Sequence, residues 1–484
     1  MRTDGGGEGR ASSGLRVSSR RGRGTLLATI LGSGMAFLDQ TVVNVALPTL
    51  GRELDARLAG LQWTVDAYLL TLGALLLLGG ALGDRHGRRR VFLVGLGWFA
   101  AASALCGLAP SIELLVVARA FQGIGAALLV PGSLAILRGA FLPEEQGYAI
   151  GLWAGLSGVT TALGPLLGGW LVSAVSWRAI FFINLPLAAL AAWAAARCVP
   201  EMFGRSAAAR LDLLGAVTVS VGLGGVVFAL IEGPASGWPP FSIASGIAGC
   251  IGLALFFVVE RRAANPMLPL EIFRSKRFSG ANATTLTVYF GLGGSMFLVV
   301  LQLQGVVGYS PLVTGAALTP LTALLLVLSP LAGRLSSRIG PRPLMTFGPL
   351  VAAAGFALLA GVRADATYMI DVLPGVGLIG LGLGSTVAPL TTAVLTSVSP
   401  EVAGAASGVN NAIARIAGLL AVAALPALGG METAGLAGTQ AFSEGYRRAM
   451  LFAAAIGAAG GLISLATIGG RERRPNAGEG APLG

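Results

Sequence analysis

The chain has 484 residues, of which 54% are hydrophobic and 11% are charged, and its mean hydropathy is +0.78. A water-soluble globule of this length could not bury so much apolar side chain, so the composition indicates a protein whose solvent is in part lipid. The net charge of +11 does not indicate nucleic acid binding, because the arginines form short clusters between apolar runs and not one basic face.

Apolar runs recur along the chain from Leu26 to Ile468 without a long polar stretch. About 20 apolar residues cross roughly 30 Å of hydrocarbon, and on that measure the chain has about fourteen spans. We therefore predict an all-α polytopic membrane protein with one continuous membrane domain. The spans are expected to start near Leu26, Leu61, Val91, Ile112, Ile150, Ala179, Leu213, Ile243, Ala283, Val313, Leu344, Val372, Gly404 and Ala449.

Positive charge alternates between successive loops. Because cytoplasmic loops near span ends carry an excess of Lys and Arg, we expect both termini in the cytoplasm. The alanine- and glycine-rich composition, with arginine in place of lysine, suggests a bacterium of high GC content and hence its inner membrane. The basic loops contain Arg16 to Arg23, Arg85 with Arg88 to Arg90, Arg138, Arg205 with Arg210, Arg261 to Arg277, Arg334 to Arg342, and Arg471 with Arg473 and Arg474.

A loop pattern of glycine, polar residue, arginine and glycine occurs twice, once from Gly80 to Arg88 and again from Gly333 to Gly340. Repeated halves are common in secondary transporters, which bind substrate between the halves near the midplane. The predicted organisation is a cytoplasmic tail, a six-helix half, two additional linker helices, a second six-helix half and a cytoplasmic tail. These segments are 1–25, 26–200, 201–262, 263–470 and 471–484.

Residue types that would supply catalysis or nucleotide chemistry are scarce. Lys276 is the one lysine and lies in an Arg-Ser-Lys-Arg run, which excludes a phosphate-binding Gly-Lys-Ser/Thr step. His86, the one histidine, lies in an arginine-rich loop, and Cys106, Cys198 and Cys250 lie in apolar segments. We therefore expect no enzyme, no metal site and no cofactor, and an ion gradient as the energy source.

Three ionisable residues lie within predicted spans. Asp39, Asp66 and Arg119 all fall in the outer half of the membrane, where helix packing could bring them together. Ionisable groups at membrane depth are costly and indicate function, here proton coupling. A nearby arginine would favour the ionised carboxylate of Asp39, whereas a dry site would favour its protonated form. Proton coupling requires alternation between these two conditions. The alternatives are a static ion pair between Asp39 and Arg119, and solvation of Asp66.

Several segments, in order and over most of the chain, resemble the fourteen-span drug:proton antiporter family of the major facilitator superfamily. They are the first-span run Leu38–Pro48, the cytoplasmic loop Gly80–Arg90, the fourth-span run Arg119–Gly125, the fifth-span run Gly164–Gly169, and the runs Trp177–Pro186 and Ser407–Arg415. The resemblance implies a major facilitator fold of two six-helix pseudo-repeats plus two extra central helices.

The resemblance also implies roles for individual residues. It ties Arg119 to proton transfer and gives the loop of Gly80, Asp84, Arg85, Gly87 and Arg88 a gating role. The motif of Gly164, Pro165, Gly168 and Gly169 is found in antiporters and not generally in symporters. Polar residues of the matched runs are candidates for the substrate cavity, namely Asn44, Gln122, Asn410, Asn411 and Arg415.

The alternatives for these motifs are structural: the glycines could serve tight helix packing, and Asp84 with Arg88 could be a solvated pair. Two positions depart from the family pattern, because Thr160 replaces a glycine and Ser337 replaces the acid of the second loop. In the last six spans there is no acid at depth, since Asp371 lies at a membrane edge, so a multiply charged substrate is not expected.

The predicted function is proton-driven efflux of a small, hydrophobic or amphiphilic drug or antibiotic by alternating access. The expected partners are the small-molecule substrate, protons and the lipid bilayer, without nucleic acid, and the protein is expected to be a monomer. One alternative is a proton-coupled importer of a small metabolite. Another is a membrane-embedded enzyme or sensor, which would need a buried catalytic constellation or a soluble output domain.

Overall fold

The computed structural model describes residues 14–204, 212–263, 268–399, 402–431 and 440–469. Most of the N-terminal tail and the whole predicted tail 471–484 lie outside the described residues. So do several basic residues used for the topology prediction, namely Arg205, Arg210, Arg471, Arg473 and Arg474.

Long helices make up nearly all of the first half of the chain. The sixth span is built from two helices, α6 and α7, which meet at Ile183, where the Ile183 N–H donates to the Ala179 carbonyl at 3.0 Å. The helices are α1 (Arg20–Glu53), α2 (Leu58–His86), α3 (Arg88–Leu108), α4 (Ile112–Ala140), α5 (Pro143–Ala174), α6 (Ala179–Phe182) and α7 (Asn184–Cys198).

The rest of the chain continues in the same way. A short 3₁₀ turn at Leu270–Arg274 precedes the ninth span, and one π-helical turn at Tyr368–Val372 opens the twelfth. The remaining helices are α8 (Leu213–Ala235), α9 (Pro240–Arg262), α10 (Lys276–Gly305), α11 (Pro311–Ile339), α12 (Pro341–Leu359), α13 (Leu373–Thr396), α14 (Ala403–Gly429) and α15 (Gln440–Thr467).

Within the described residues, fourteen helical segments are long and apolar enough to cross a membrane, which confirms the predicted all-α fold of about fourteen spans. Several helices begin before the apolar run does: α1 begins at Arg20 and α15 at Gln440. Polar residues continue a helix beyond the hydrocarbon when the end is capped, as the Ser19 hydroxyl caps α1 by accepting from the Gly22 N–H at 3.0 Å. Hydropathy therefore finds the spans but not their ends.

The chain forms two compact units, Met1–Met267 with Leu303–Thr319, and Leu268–Gln302 with Pro320–Gly484. In the first unit α2 and α3 pack against α4, α5 and α7 pack against α1, and α8 packs against both α9 and α2. In the second unit α12 packs against α13 and α15. The C-terminal end of α10 and the N-terminal end of α11 thus belong to the first unit. The five-part division into tails, halves and linker pair stays a prediction.

Candidate functional site

Asp39 lies at the centre of a buried hydrogen-bond network in the first unit. Arg119 of α4 forms an ion pair with the Asp39 carboxylate, and both residues are 1% exposed. The other carboxylate oxygen, Oδ1, accepts from Gln122 Nε2 at 2.8 Å and from Asn184 Nδ2 at 3.1 Å. The structure therefore brings together Asp39, Arg119 and Gln122, and it adds Asn184, which α7 places at its first residue.

Arg119 is held by more than its carboxylate partner. Its Nε donates to the Thr64 carbonyl at 3.1 Å, and its Nη1 donates to Gln122 Oε1 at 2.7 Å. The guanidinium carbon lies 4.4 Å from the centre of the Tyr68 ring and 5.8 Å from that of Phe181. Cation–π contact and two neutral acceptors would keep the arginine in place if the Asp39 carboxylate lost its charge.

A second layer of small polar side chains from α3 fixes the two amides. Ser103 Oγ accepts from Asn184 Nδ2 at 2.9 Å and from Gln122 Nε2 at 3.3 Å, and it donates to the Phe181 carbonyl at 2.9 Å. The Cys106 thiol donates to Gln122 Oε1 at 3.4 Å. Sequence reasoning missed Ser103 and Cys106, because a lone small polar residue in an apolar run usually only fills the core, and it cited Asn184 only within a matched run.

Asp66 does not join this network. It is fully buried, so the alternative that it is solvated is wrong, and neither carboxylate oxygen has a hydrogen-bond partner among the described residues. Thr64 and Asp66 are two residues apart, which turns them about 200° from each other around α2. Tyr68, whose ring meets the Arg119 guanidinium, is likewise two residues from Asp66, so Asp66 lies on another side of the helix.

The loop between α2 and α3, predicted to be cytoplasmic, is an ordered turn. The Arg88 guanidinium contacts Asp84 Oδ1 through Nε at 2.9 Å and through Nη2 at 2.8 Å, and its Nη1 donates to the Ala135 carbonyl of α4 at 2.8 Å. The side chains of Arg88 and Asp84 are 18% and 34% exposed. The pair is thus partly buried and anchored to α4, unlike a freely solvated pair, and no salt bridge is formed by the exposed Arg85 within the described part of the chain.

The fifth-span glycines lie at close helix contacts. A Cβ on Gly164 would meet the Thr41 hydroxyl, and one on Gly168 would lie 3.0 Å from Val42 Cα. A Cβ on Gly169 would meet the Pro311 carbonyl at the start of α11. Contact in the other direction is equally tight, because a Cβ on Gly315 would meet the Pro165 carbonyl. The motif therefore packs α5 closely against α1 and against the N-terminal end of α11, as small residues do between membrane helices.

Thr160, which departs from the family pattern, faces a glycine across the same interface. A Cβ on Gly34 of α1 would lie 3.4 Å from the Thr160 hydroxyl, which is ordinary van der Waals contact. Thr160 therefore fits between the two helices without requiring a glycine opposite it.

The cavity candidates of the first unit differ in environment. Asn44 is half-buried, and its Oδ1 is a buried acceptor with no hydrogen-bond partner among the described residues. Gln122 is fully buried and belongs to the Asp39 network. Asn44 is therefore the better candidate for substrate contact.

In the second unit, the candidates lie on α14. Asn410 Nδ2 donates to Asn282 Oδ1 at 3.0 Å and to Thr285 Oγ1 at 2.7 Å, so Asn410 ties α14 to α10. Asn411 is exposed and donates to the carbonyl one turn earlier, and Arg415 is half-buried. Across the described residues, no cluster of three or more His, Cys, Asp and Glu side chains could hold a metal ion.

The chain matches the family model of the Major Facilitator Superfamily over residues 29–210 and 194–422. Multidrug resistance protein Stp of Mycobacterium tuberculosis is 40% identical over 83% of this chain and 74% of its own length. The tetracenomycin C resistance and export protein of Streptomyces glaucescens is 37% identical (85% and 77%), and the puromycin resistance protein pur8 of Streptomyces alboniger is 38% identical (83% and 80%).

Solved structures of low sequence identity share the fold. A bacterial homolog of the human lysosomal transporter Spinster aligns with a TM-score of 0.67 at 17% identity, over 93% of this chain and 97% of that one. The xylose transporter XylE from E. coli aligns with a TM-score of 0.61 at 16% identity, over 93% and 96%. The helical architecture, the ordered motifs and these matches agree: the chain is a multi-pass membrane protein that belongs to the Major Facilitator Superfamily.

Proposed function

We propose that this protein exports a small hydrophobic or amphiphilic drug or antibiotic in exchange for protons, by alternating access across a bacterial inner membrane, with both termini in the cytoplasm. Export is supported by relatives named for drug resistance or export and by the fifth-span motif resembling that of antiporters. No catalytic role is proposed.

Proton coupling rests on one observation, the buried carboxylate of Asp39 beside Arg119. When a proton binds Asp39, the charge-assisted bond to Arg119 weakens, while the arginine keeps its bonds to Thr64 and Gln122. Release of the proton restores the pair. We propose that the network alternates between two arrangements that differ by one proton, as a coupling site requires. Each proton that moves with the membrane potential supplies about 2.3 kcal/mol per 100 mV.

The charge pattern limits the substrate. The last six spans carry no acid at depth, and Asp39 is enclosed by its own arginine and amides. A multiply charged cation would therefore find no counter-charge in the last six spans and none at Asp39, which favours a neutral or singly charged amphiphile. Asn44 offers such a compound a hydrogen-bond acceptor.

The experiment that tests this function follows both cargo and protons. Everted membrane vesicles containing the protein are energised, and uptake of puromycin is measured together with the proton release that addition of puromycin causes. A panel of toxic amphiphiles repeats the test in case puromycin is not a substrate. We expect uphill uptake of at least one compound and its collapse when a protonophore is added. Uptake into right-side-out vesicles would instead support the alternative of a proton-coupled importer. A catalysed reaction that proceeds without any of the test compounds would support the alternative of a membrane-embedded enzyme.

A further inference from the structure

The segment Val199–Gly204, here called the inner strap, follows α7 and runs along the gating loop. The Arg88 N–H donates to the Met202 carbonyl at 2.9 Å, and the Gly204 N–H donates to the Asp84 carbonyl at 2.9 Å. Asp84 and Arg88, here called the gate pair, are therefore both bonded to the strap through their backbones. Beyond the strap the chain continues to the additional helix pair α8 and α9.

Glu201 of the inner strap supplies the cap for α3. The helix begins at Arg88, and its own N-cap residue, Gly87, has no side chain to offer. The Arg89 N–H, unpaired in the first turn of a helix, donates instead to Glu201 Oε1 at 3.0 Å. The other oxygen, Oε2, lies 3.6 Å from Arg89 Nε and 3.7 Å from Arg90 Nε. A carboxylate at this end also interacts favourably with the helix dipole.

Glycines leave the room that this arrangement needs. Gly87 has φ of +99°, and a Cβ there would lie 2.6 Å from Glu201 Oε1. A Cβ on Gly204 would meet the Asp84 carboxyl group, and one on Gly139 would lie 3.0 Å from the sulfur of Met202. A side chain at any of the three would displace the strap or the gate pair.

We infer that Glu201 is a positioning residue of the cytoplasmic gate. It caps α3 and offsets part of the positive charge of Arg89 and Arg90, and so holds the loop in the conformation in which Asp84 and Arg88 pair. The inference rests on the proposed gating role of that pair.

The test uses the purified full-length protein and two measurements, of which the first needs no substrate. Hydrogen–deuterium exchange reports the protection of amides in the loop and the first turn of α3. Transport of puromycin, or of the best-transported panel compound, gives the maximal rate and the half-saturating concentration. The variants are Glu201→Gln, which keeps an acceptor but removes the charge, Glu201→Asp, which keeps the charge, and Glu144→Gln, a control that removes an exposed cytoplasmic carboxylate at the start of α5.

For Glu201→Gln we expect faster exchange at the start of α3 and a maximal rate lower by about three- to tenfold, the size of a lost charged helix cap. The half-saturating concentration should change by less than about twofold, because the gate does not touch substrate. Glu201→Asp should recover part of both effects, and Glu144→Gln should resemble the wild type. Combined with Asp84→Asn, Glu201→Gln should add little further loss, because both act on one loop.

Three outcomes separate the hypotheses. The role of Glu201 would be overturned if Glu201→Gln kept the hydrogen–deuterium exchange and the maximal transport rate of the wild type while Asp84→Asn transported slowly. The gating role of Asp84 and Arg88 would then stand. The role of Glu201 would also be overturned if Glu201→Gln and Glu201→Asp lowered the maximal transport rate equally while hydrogen–deuterium exchange in the loop stayed unchanged. Wild-type transport in Asp84→Asn would reject the gate itself, and with it the proposed function of that loop.

Discussion

Replacing Asp39 by asparagine tests proton coupling most directly. The amide has the shape of the carboxylate, and its oxygen can still accept from Gln122 Nε2 and Asn184 Nδ2, which bond the carboxylate at 2.8 and 3.1 Å. Its nitrogen would face the Arg119 guanidinium, however, so one side of the network would bring two donors together. The variant can no longer exchange a proton at this position.

The loss in the free energy of unfolding depends on the contacts that Arg119 keeps when Asp39 is replaced. Breaking a buried ion pair by removing one partner costs about 3 to 5 kcal/mol, because a charge is left uncompensated. Arg119 retains the Thr64 carbonyl, Gln122 Oε1 and the face of Tyr68, so we expect the lower end of that range. The protein should therefore insert and fold, with a lower melting temperature in detergent.

The functional loss should be larger than the loss of stability. In proteoliposomes we expect uphill transport and substrate-induced proton movement to fall to background, while exchange of labelled for unlabelled substrate continues. The matched control is Asp365→Asn, which makes the same chemical change in an exposed loop and should leave all three activities unchanged. Near wild-type uphill transport in Asp39→Asn would refute the assignment of the coupling site and make Asp66 the next candidate.

Three further predictions concern the gate, the topology and the helix contacts. Asp84→Asn should reduce transport severalfold without reducing the amount of inserted protein, because it removes one charge of the gate pair; an unchanged rate would contradict a gating role for this pair. A reporter fused after Arg474 should be active only in the cytoplasm, and activity outside would contradict an even number of spans. Gly169→Ala should destabilise the protein by about 1 to 3 kcal/mol because its Cβ would meet the Pro311 carbonyl. Thermal unfolding should show no such loss for Gly151→Ala, where a Cβ meets nothing within 4 Å.

The sequence was sufficient for the number of spans and for the main ion pair. Long apolar runs identify membrane helices because a bilayer fixes their length. Asp39 and Arg119 were recognisable because charges at depth are rare, and their predicted proximity is confirmed by the ion pair. Asp66 satisfied the same criterion of depth, but it lies on a different side of α2. Hydropathy locates a residue along a span and does not tell which neighbouring helix its side chain faces.

The remaining parts of the site depend on contacts between distant segments. Ser103 and Cys106 are single small residues in an apolar run, and only the packing of α3 against α4 gives them a partner. Glu201 caps a helix by accepting from the Arg89 N–H, which lies 112 residues before it in the chain. The attachment of Leu303–Thr319 to the first unit likewise depends on close backbone contacts, such as that of Gly315 with Pro165. Neither periodicity nor composition specifies such pairs.

The Asp39 network draws on α1, α2, α3, α4 and α7, all within the first compact unit. A chimera that keeps this unit and takes the second from a relative with a different drug would therefore retain the complete hydrogen-bonded centre. Changes in the second unit could alter its contacts with the cargo without rebuilding the centre that we propose couples transport to protons. Such separation is one physical route by which a transporter lineage can acquire resistance to new compounds.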